Sequence, residues 1–91
     1  MTQSKTGFLK GKKVLVTGAC GTVGSMLVEQ LLREGHEPEE VIGIDNNENS
    51  LFFLEQKFLS DSRVHFFLAD LRDRDKLSML CRGIDIIFHA A

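Results

Sequence analysis

The sequence predicts an α/β domain: a doubly wound, four-stranded parallel sheet with strand order 3-2-1-4. Three observations lead there. Short apolar runs alternate with helix-like stretches through the chain. The connectors between them are short. The first apolar run passes into a helix-like run through three glycines spaced three apart, Gly18, Gly21 and Gly24, in VLVTGACGTVGSMLVEQLL. Apolar strands that alternate with helices make a parallel sheet covered on both faces. Right-handed crossovers then wind it in both directions from the first strand.

Residues 1–12 read as a flexible lead-in, with Phe8 and Leu9 tacked onto the body, and 13–91 as the domain proper. Residues 13–17, KVLVT, are β-branched and apolar and end at a glycine, as a buried strand does. From Thr22 to Arg33, Val23, Leu27, Val28, Leu31 and Leu32 recur near a 3.6 period, one stripe of an amphipathic helix. Gly35 stops it, and HEPEE is a polar connector whose Pro38 cannot lie inside a helix. Residues 41–45, VIGID, form the second strand. Leu51, Phe52, Leu54, Phe58 and Leu59 mark a second helix. Residues 64–69, VHFFLA, form a third strand, too continuously apolar to be covered on one side only. DLRDRDKLSMLCRG combines an acidic start, a stripe of Leu77, Leu80 and Cys81, and a stop at Gly83. Residues 84–89 are the fourth strand.

Composition narrows the function classes. The chain has 91 residues, 43% hydrophobic and 26% charged, the balance of one small globular domain. A net charge of -2 leaves no electrostatic footprint for nucleic acid. Lys10, Lys12 and Lys13 read as a solvated strand start. No apolar run is long enough for a bilayer, and the N-terminus lacks the apolar core of a secretory signal. Cys20 and Cys81 make neither a metal-ligand spacing nor a Cys-x-x-Cys motif, so no metal is expected and a reducing, cytoplasmic setting is. Cys20 stands in the glycine loop, either as a small side chain filling a crowded turn or as a reactive thiol.

The glycines carry the chemistry. A parallel strand-to-helix junction points the first N–H groups of the helix outward, and the helix dipole adds to their attraction for phosphate. Gly18 suits the tight turn after the strand, Gly21 a close approach of pyrophosphate to the backbone, and Gly24 close packing of the helix. A phosphate-only P-loop is excluded, because Gly24 is followed by Ser25 and Met26 rather than Lys and Ser or Thr.

Asp45 ends the second strand twenty-one residues after Gly24. A carboxylate there accepts both ribose hydroxyls of an adenosine and repels a 2′-phosphate, which favours NAD over NADP. Its other possible role is to cap the following helix. Asp70, after the third strand, has the same two options: the adenine amino group, with Leu71 on the ring, or an N-cap. His89 is a lone histidine at a strand end, more in keeping with a structural role than a catalytic one.

TGACGTVG resembles the T-G-x-x-G-x-x-G fingerprint of the short-chain dehydrogenase/reductase superfamily. IDNNENS, ADLRD and FHAA follow in the order of its extended class, and VIGIDNNENSLFFLEQKF is most similar to the polysaccharide-biosynthesis branch, which includes UDP-N-acetylglucosamine 4,6-dehydratases. The resemblance covers residues 8–91 and implies the N-terminal half of an NAD(P)-binding Rossmann domain. It implies that Gly18, Cys20, Gly21, Thr22 and Val23 line a pyrophosphate, with Gly24 behind them. Asp45 and Asn46 would lie at the adenosine ribose, with Asn47 or Asn49 nearby. Asp70 and Leu71 become adenine contacts, and Ala90 and Ala91 the wall near the nicotinamide-side ribose.

The family's Tyr-x-x-x-Lys is missing, and the chain contains no tyrosine at all. The resemblance therefore implies the NAD-binding portion of a nucleotide-sugar dehydratase or epimerase, without its catalytic half and with no catalytic residue of its own. A UDP-sugar would be met only through that other half. A start at Met1 directly onto the fold resembles the members without a membrane region. The competing expectation is a non-catalytic dinucleotide-binding module that self-associates through the open edge of strand four or through bare helix faces.

Overall fold

A computed structural model describes residues 9–33 and 35–91. Its elements are β1 (Lys13–Thr17), α1 (Thr22–Leu31), β2 (Glu40–Asp45), α2 (Glu48–Lys57), β3 (Val64–Leu68), α3 (Arg74–Leu80) and β4 (Ile86–His89). The four strands form one parallel sheet in the order β3-β2-β1-β4, as expected.

Successive side chains of a strand point to opposite faces, and the two faces carry separate cores. On one face Val14, Val16, Val41 and Val64 meet Val28 and Leu31 of α1 and Leu54 of α2. On the other, Leu15, Ile42 and Ile44 meet Ala69, with Leu77 and Leu80 of α3 packed against them. Two helices on one side and one on the other make the sheet doubly wound, with the direction of winding reversing between β1 and β4.

Of the lead-in expected over 1–12, residues 1–8 lie outside the described residues, Phe8 among them. Leu9 is buried in the first core. The Gly11 N–H donates to the Glu37 carbonyl at 3.0 Å, and the Lys12 carbonyl accepts from Glu39 N–H at 2.8 Å, so residues 9–12 are tied to the domain.

Three expectations need correction. β3 is not covered on both faces: its burial runs from Val64 outward to Phe67 and Leu68, which are 39% and 43% exposed. It is the edge strand, and α3 packs over β1 and β2 instead. Val23 does not belong to the apolar stripe of α1; it is exposed at the first turn, and Gly24, Val28 and Leu31 form the buried side. Phe52 and Leu59 likewise face outward. Phe52 and its neighbour Phe53 make an edge-to-face pair at 5.7 Å, while Leu51 and Leu54 hold α2 to the sheet.

Candidate functional site

At the carboxyl ends of the strands, Gly18, Ile44, Asp45, Asn46, Ala69, Asp70, Leu71 and Ala91 line one cleft of about 250 Å³. Such a crevice beside the reversal of winding is where open α/β sheets bind ligands. Complete small-molecule pockets run to roughly 300–1,000 Å³, so this cleft suits a base and ribose rather than an entire dinucleotide.

The loop between β1 and α1 is built from its glycines. Gly18 has φ +67°, a left-handed conformation that a side chain resists. A Cβ there would also stand 2.7 Å from the Ala91 nitrogen, so the turn and the end of the β4 segment close on each other. The Ala90 N–H donates to the Thr17 carbonyl at 3.1 Å across the same junction. Gly24 is buried, and a Cβ on it would lie 2.0 Å from the Gly18 carbonyl oxygen. Its place is packing the helix onto the loop's own backbone, not facing a ligand. A Cβ on Gly21 would meet only the Gly18 oxygen, at 3.4 Å, so no packing demand keeps that position bare.

Helix α1 opens at Gly21 with no side-chain cap and no acidic residue in its first turn. The other two helices are capped, by Asn47 accepting from Ser50 N–H and by Asp73 accepting from Lys76 N–H. The first-turn N–H groups of α1 thus keep their positive end free for an anion. Thr22 and Val23 are exposed there. Cys20 and Gly21, in contrast, spend their N–H groups inside the loop, on Asp45 Oδ2 and the Gly18 carbonyl, each at 3.0 Å.

Asp45 is not a helix cap. Its Oδ2 accepts from Cys20 N–H and its Oδ1 from Asn47 N–H, both at 3.0 Å. These backbone donors and the Cys20 thiol, a weak S–H donor, fix the carboxylate between the glycine loop and α2 and leave one of its roughly four acceptor positions free. A vicinal diol needs two, the free one and the one held by the weak S–H donor. Asn46 lines the cleft beside it, whereas Asn47 is committed to capping α2.

Asp70 does not cap α3 either. The Arg72 side chain forks onto it, Nε to Oδ1 at 3.0 Å and Nη2 to Oδ2 at 2.7 Å, and Arg72 N–H adds a bond to Oδ1 at 2.9 Å. These bonds from Arg72 hold the Asp70 carboxyl down at about 2. The exposed Leu71 side chain lies next to it at the cleft.

The surroundings of Cys20 disfavour its thiolate. Burial first, then the charge of Asp45 and a hydrogen bond to it, push the thiol up to about 11. His89 Nδ1 is 2.7 Å from the buried Thr17 hydroxyl, its partner in the β1–β4 register, which supports the structural role.

The cleft thus gathers Gly18, Asp45, Asn46, Asp70, Leu71 and Ala91 of the expected residues. Cys20, Gly21, Thr22, Val23, Gly24, Asn47 and Ala90 are not among its lining residues. Ile44 and Ala69 were missed; both sit at strand ends, and their only signal was an apolar residue one place before an aspartate. Arg72 was missed as well, although Asp-x-Arg after a strand is a legible pattern.

Residues 14–91 match the polysaccharide biosynthesis protein family. The chain belongs to that family. This polysaccharide biosynthesis family chain is 37% identical over 91 residues to an uncharacterized membrane protein of Methanocaldococcus jannaschii, covering 100% of the chain and 26% of that protein. It is 33% identical over 81 residues to a UDP-N-acetylglucosamine 4,6-dehydratase (inverting) of Campylobacter jejuni, covering 89% of the chain and 24% of the enzyme. The structure of UDP-glucuronic acid 4-epimerase from Bacillus cereus, in complex with UDP-glucuronic acid and NAD, superposes with a TM-score of 0.69 at 36% identity, over 87% of the chain and 26% of the epimerase. The family chain spans about a quarter of the length of these proteins. Among its described residues, no helix is long and apolar enough to cross a membrane.

Proposed function

We propose that the chain is the adenosine-binding part of a nucleotide-sugar dehydratase or epimerase of polysaccharide biosynthesis, with NAD as its dinucleotide. The observation that carries this is the cleft itself: a carboxylate fixed by backbone donors, Asp45, faces the same space as Asp70, Leu71 and the Gly18 turn. The uncapped start of α1 adjoins that turn. In this reading Asp45 accepts the two ribose hydroxyls, the first-turn N–H groups of Thr22 and Val23 meet the pyrophosphate, and Asp70 takes the adenine amino group. Likeness to a dehydratase and to an epimerase holding NAD and a UDP-sugar supports the substrate class.

The bound dinucleotide would supply hydride exchange at the sugar. The chain's own residues bind and orient its adenosine half, and no catalytic role is assigned to any of them. Two unpaired cysteines among the described residues fit a reducing, cytoplasmic setting.

The test is calorimetric titration of the purified chain with NAD, NADP and AMP. Saturable binding of NAD and AMP with weaker NADP is expected. Tighter NADP than NAD would overturn the role of Asp45, and no binding of any of the three would overturn the proposal.

The second reading, self-association, is favoured by one observation: among the described residues β4 pairs with β1 alone, and Ile87 on it is about half exposed. An unpaired strand edge is a template for another chain. Light scattering that shows a monomer at millimolar concentration would exclude it.

A further inference from the structure

The interaction between Asp70 and Arg72 has a consequence for which base the cleft accepts. A carboxylate offers about four acceptor positions, two on each oxygen. Arg72 takes three of Asp70's: Nε and the backbone N–H fill both positions on Oδ1, and Nη2 fills one on Oδ2. One acceptor remains, on Oδ2, and Asp70 is one of the residues that line the cleft. The Asp70 side chain is 38% accessible, so its carboxylate is within reach of a ligand.

We infer that Arg72 is a base-specificity residue, restricting Asp70 to a base that presents one N–H donor, as adenine does, and excluding guanine. This role rests on the proposed adenosine site and on hydrogen-bond complementarity. Adenine offers a single exocyclic amino group beside a ring acceptor, and one N–H satisfies the one free position on Oδ2. Guanine in the same pose would turn its carbonyl oxygen toward the carboxylate. Its favourable alternative is to shift and present its ring N–H and its amino group together, which requires one free acceptor on each oxygen. Arg72 denies it the one on Oδ1. A site whose polar groups cannot all be paired discriminates strongly.

Removing the guanidinium should therefore change the ratio of affinities and not merely their level. Loss of a positive charge near a dinucleotide weakens the adenine and guanine forms alike, since both carry the same phosphates. Only the freed Oδ1 position favours guanine. Arg72 is almost fully solvent-exposed beyond its contact with Asp70, so its replacement leaves the cores untouched.

The experiment is calorimetric titration of the full chain, Arg72→Ala and Arg72→Lys with NAD and with nicotinamide guanine dinucleotide, after circular dichroism has shown equal helix content. The unaltered chain should prefer NAD by at least about tenfold, the value of one charge-assisted hydrogen bond. In Arg72→Ala that ratio should fall about tenfold. In Arg72→Lys, which keeps the charge but not the fork, it should also fall. A ratio within threefold of the original in Arg72→Ala overturns the inference, and so does full retention of the ratio by Arg72→Lys, which would reduce Arg72 to a charge. Saturation by NAD with an unchanged ratio leaves the proposed function standing and removes this inference alone. Absence of NAD binding in the unaltered chain removes both.

Discussion

Gly24→Ala tests how the glycine loop between β1 and α1 is held together. A Cβ at position 24 would lie 2.0 Å from the Gly18 carbonyl oxygen, 2.7 Å from the Gly18 carbonyl carbon and 3.0 Å from Ala19 Cα. All three are backbone atoms, so no side chain can swing aside to relieve the overlap. Either α1 lifts from the loop or the loop shifts by about 1 Å. Shifting the loop disturbs the Ala19 N–H bond to the Ile44 carbonyl and the Cys20 N–H bond to Asp45, both 3.0 Å long. Overpacking of this kind costs up to about 3 kcal/mol. Alanine in a helix recovers about 1 kcal/mol relative to glycine. The net loss is about 2 kcal/mol, a large share of the stability of a domain this size, and should lower the thermal midpoint by roughly 8–16 °C. Thermal and urea unfolding followed by circular dichroism measure it. Gly21→Ala is the control, because its Cβ would meet a single atom at 3.4 Å; its midpoint should hardly move. If Gly24→Ala is as stable as the unaltered chain, or more so, helix propensity has won and the account of loop packing is refuted.

Four further outcomes are expected. Asp45→Ala removes the carboxylate proposed to accept the ribose hydroxyls; NAD affinity should fall about 10- to 100-fold while NADP falls less, and an unchanged NAD constant would contradict that role. Cys20, with Cys81 replaced by serine, should be alkylated slowly by iodoacetamide at pH 9, since a thiol near 11 is only about 1% ionised there. Because the folded value lies above the unfolded value of 9.0, the unfolded chain gives up that proton first, so stability should fall as pH rises from 9 to 11; rapid native alkylation would disprove the burial of the thiol. Arg63→Ala should cost about 1–2 kcal/mol in urea unfolding, because Arg63 Nη2 donates to the Leu32 carbonyl at the end of α1 at 2.7 Å and its guanidinium forks onto Asp61.

Much of the fold was legible because local pattern and global architecture agree. Four apolar runs, three amphipathic stretches and short connectors leave few topologies open, and strand order 3-2-1-4 is the one observed. Legibility failed where a residue's environment depends on what stands next to it in space. VHFFL reads as fully buried, yet its position at the sheet edge leaves Phe67 and Leu68 half exposed. Val23 fits the helical period, yet it stands on the first turn, beyond the core's reach.

The site divides in the same way. TGACGTVG, Asp45 and Asp70 could be picked out from residue type and spacing, since a left-handed turn needs glycine and a polar strand end needs a reason. How each carboxylate is used could not. Each had capping the following helix as its other possible role, and the structure gives those caps to Asn47 and Asp73. That freed Asp45 for the Cys20 and Asn47 amides and Asp70 for Arg72. The sequence by itself determined which elements form and which residue types stand at their ends, because helix and strand periods and glycine sterics act within a few residues along the chain. Only the tertiary structure decided which acceptor positions stay free, because hydrogen-bond partners are assigned between segments that meet only after the sheet has closed.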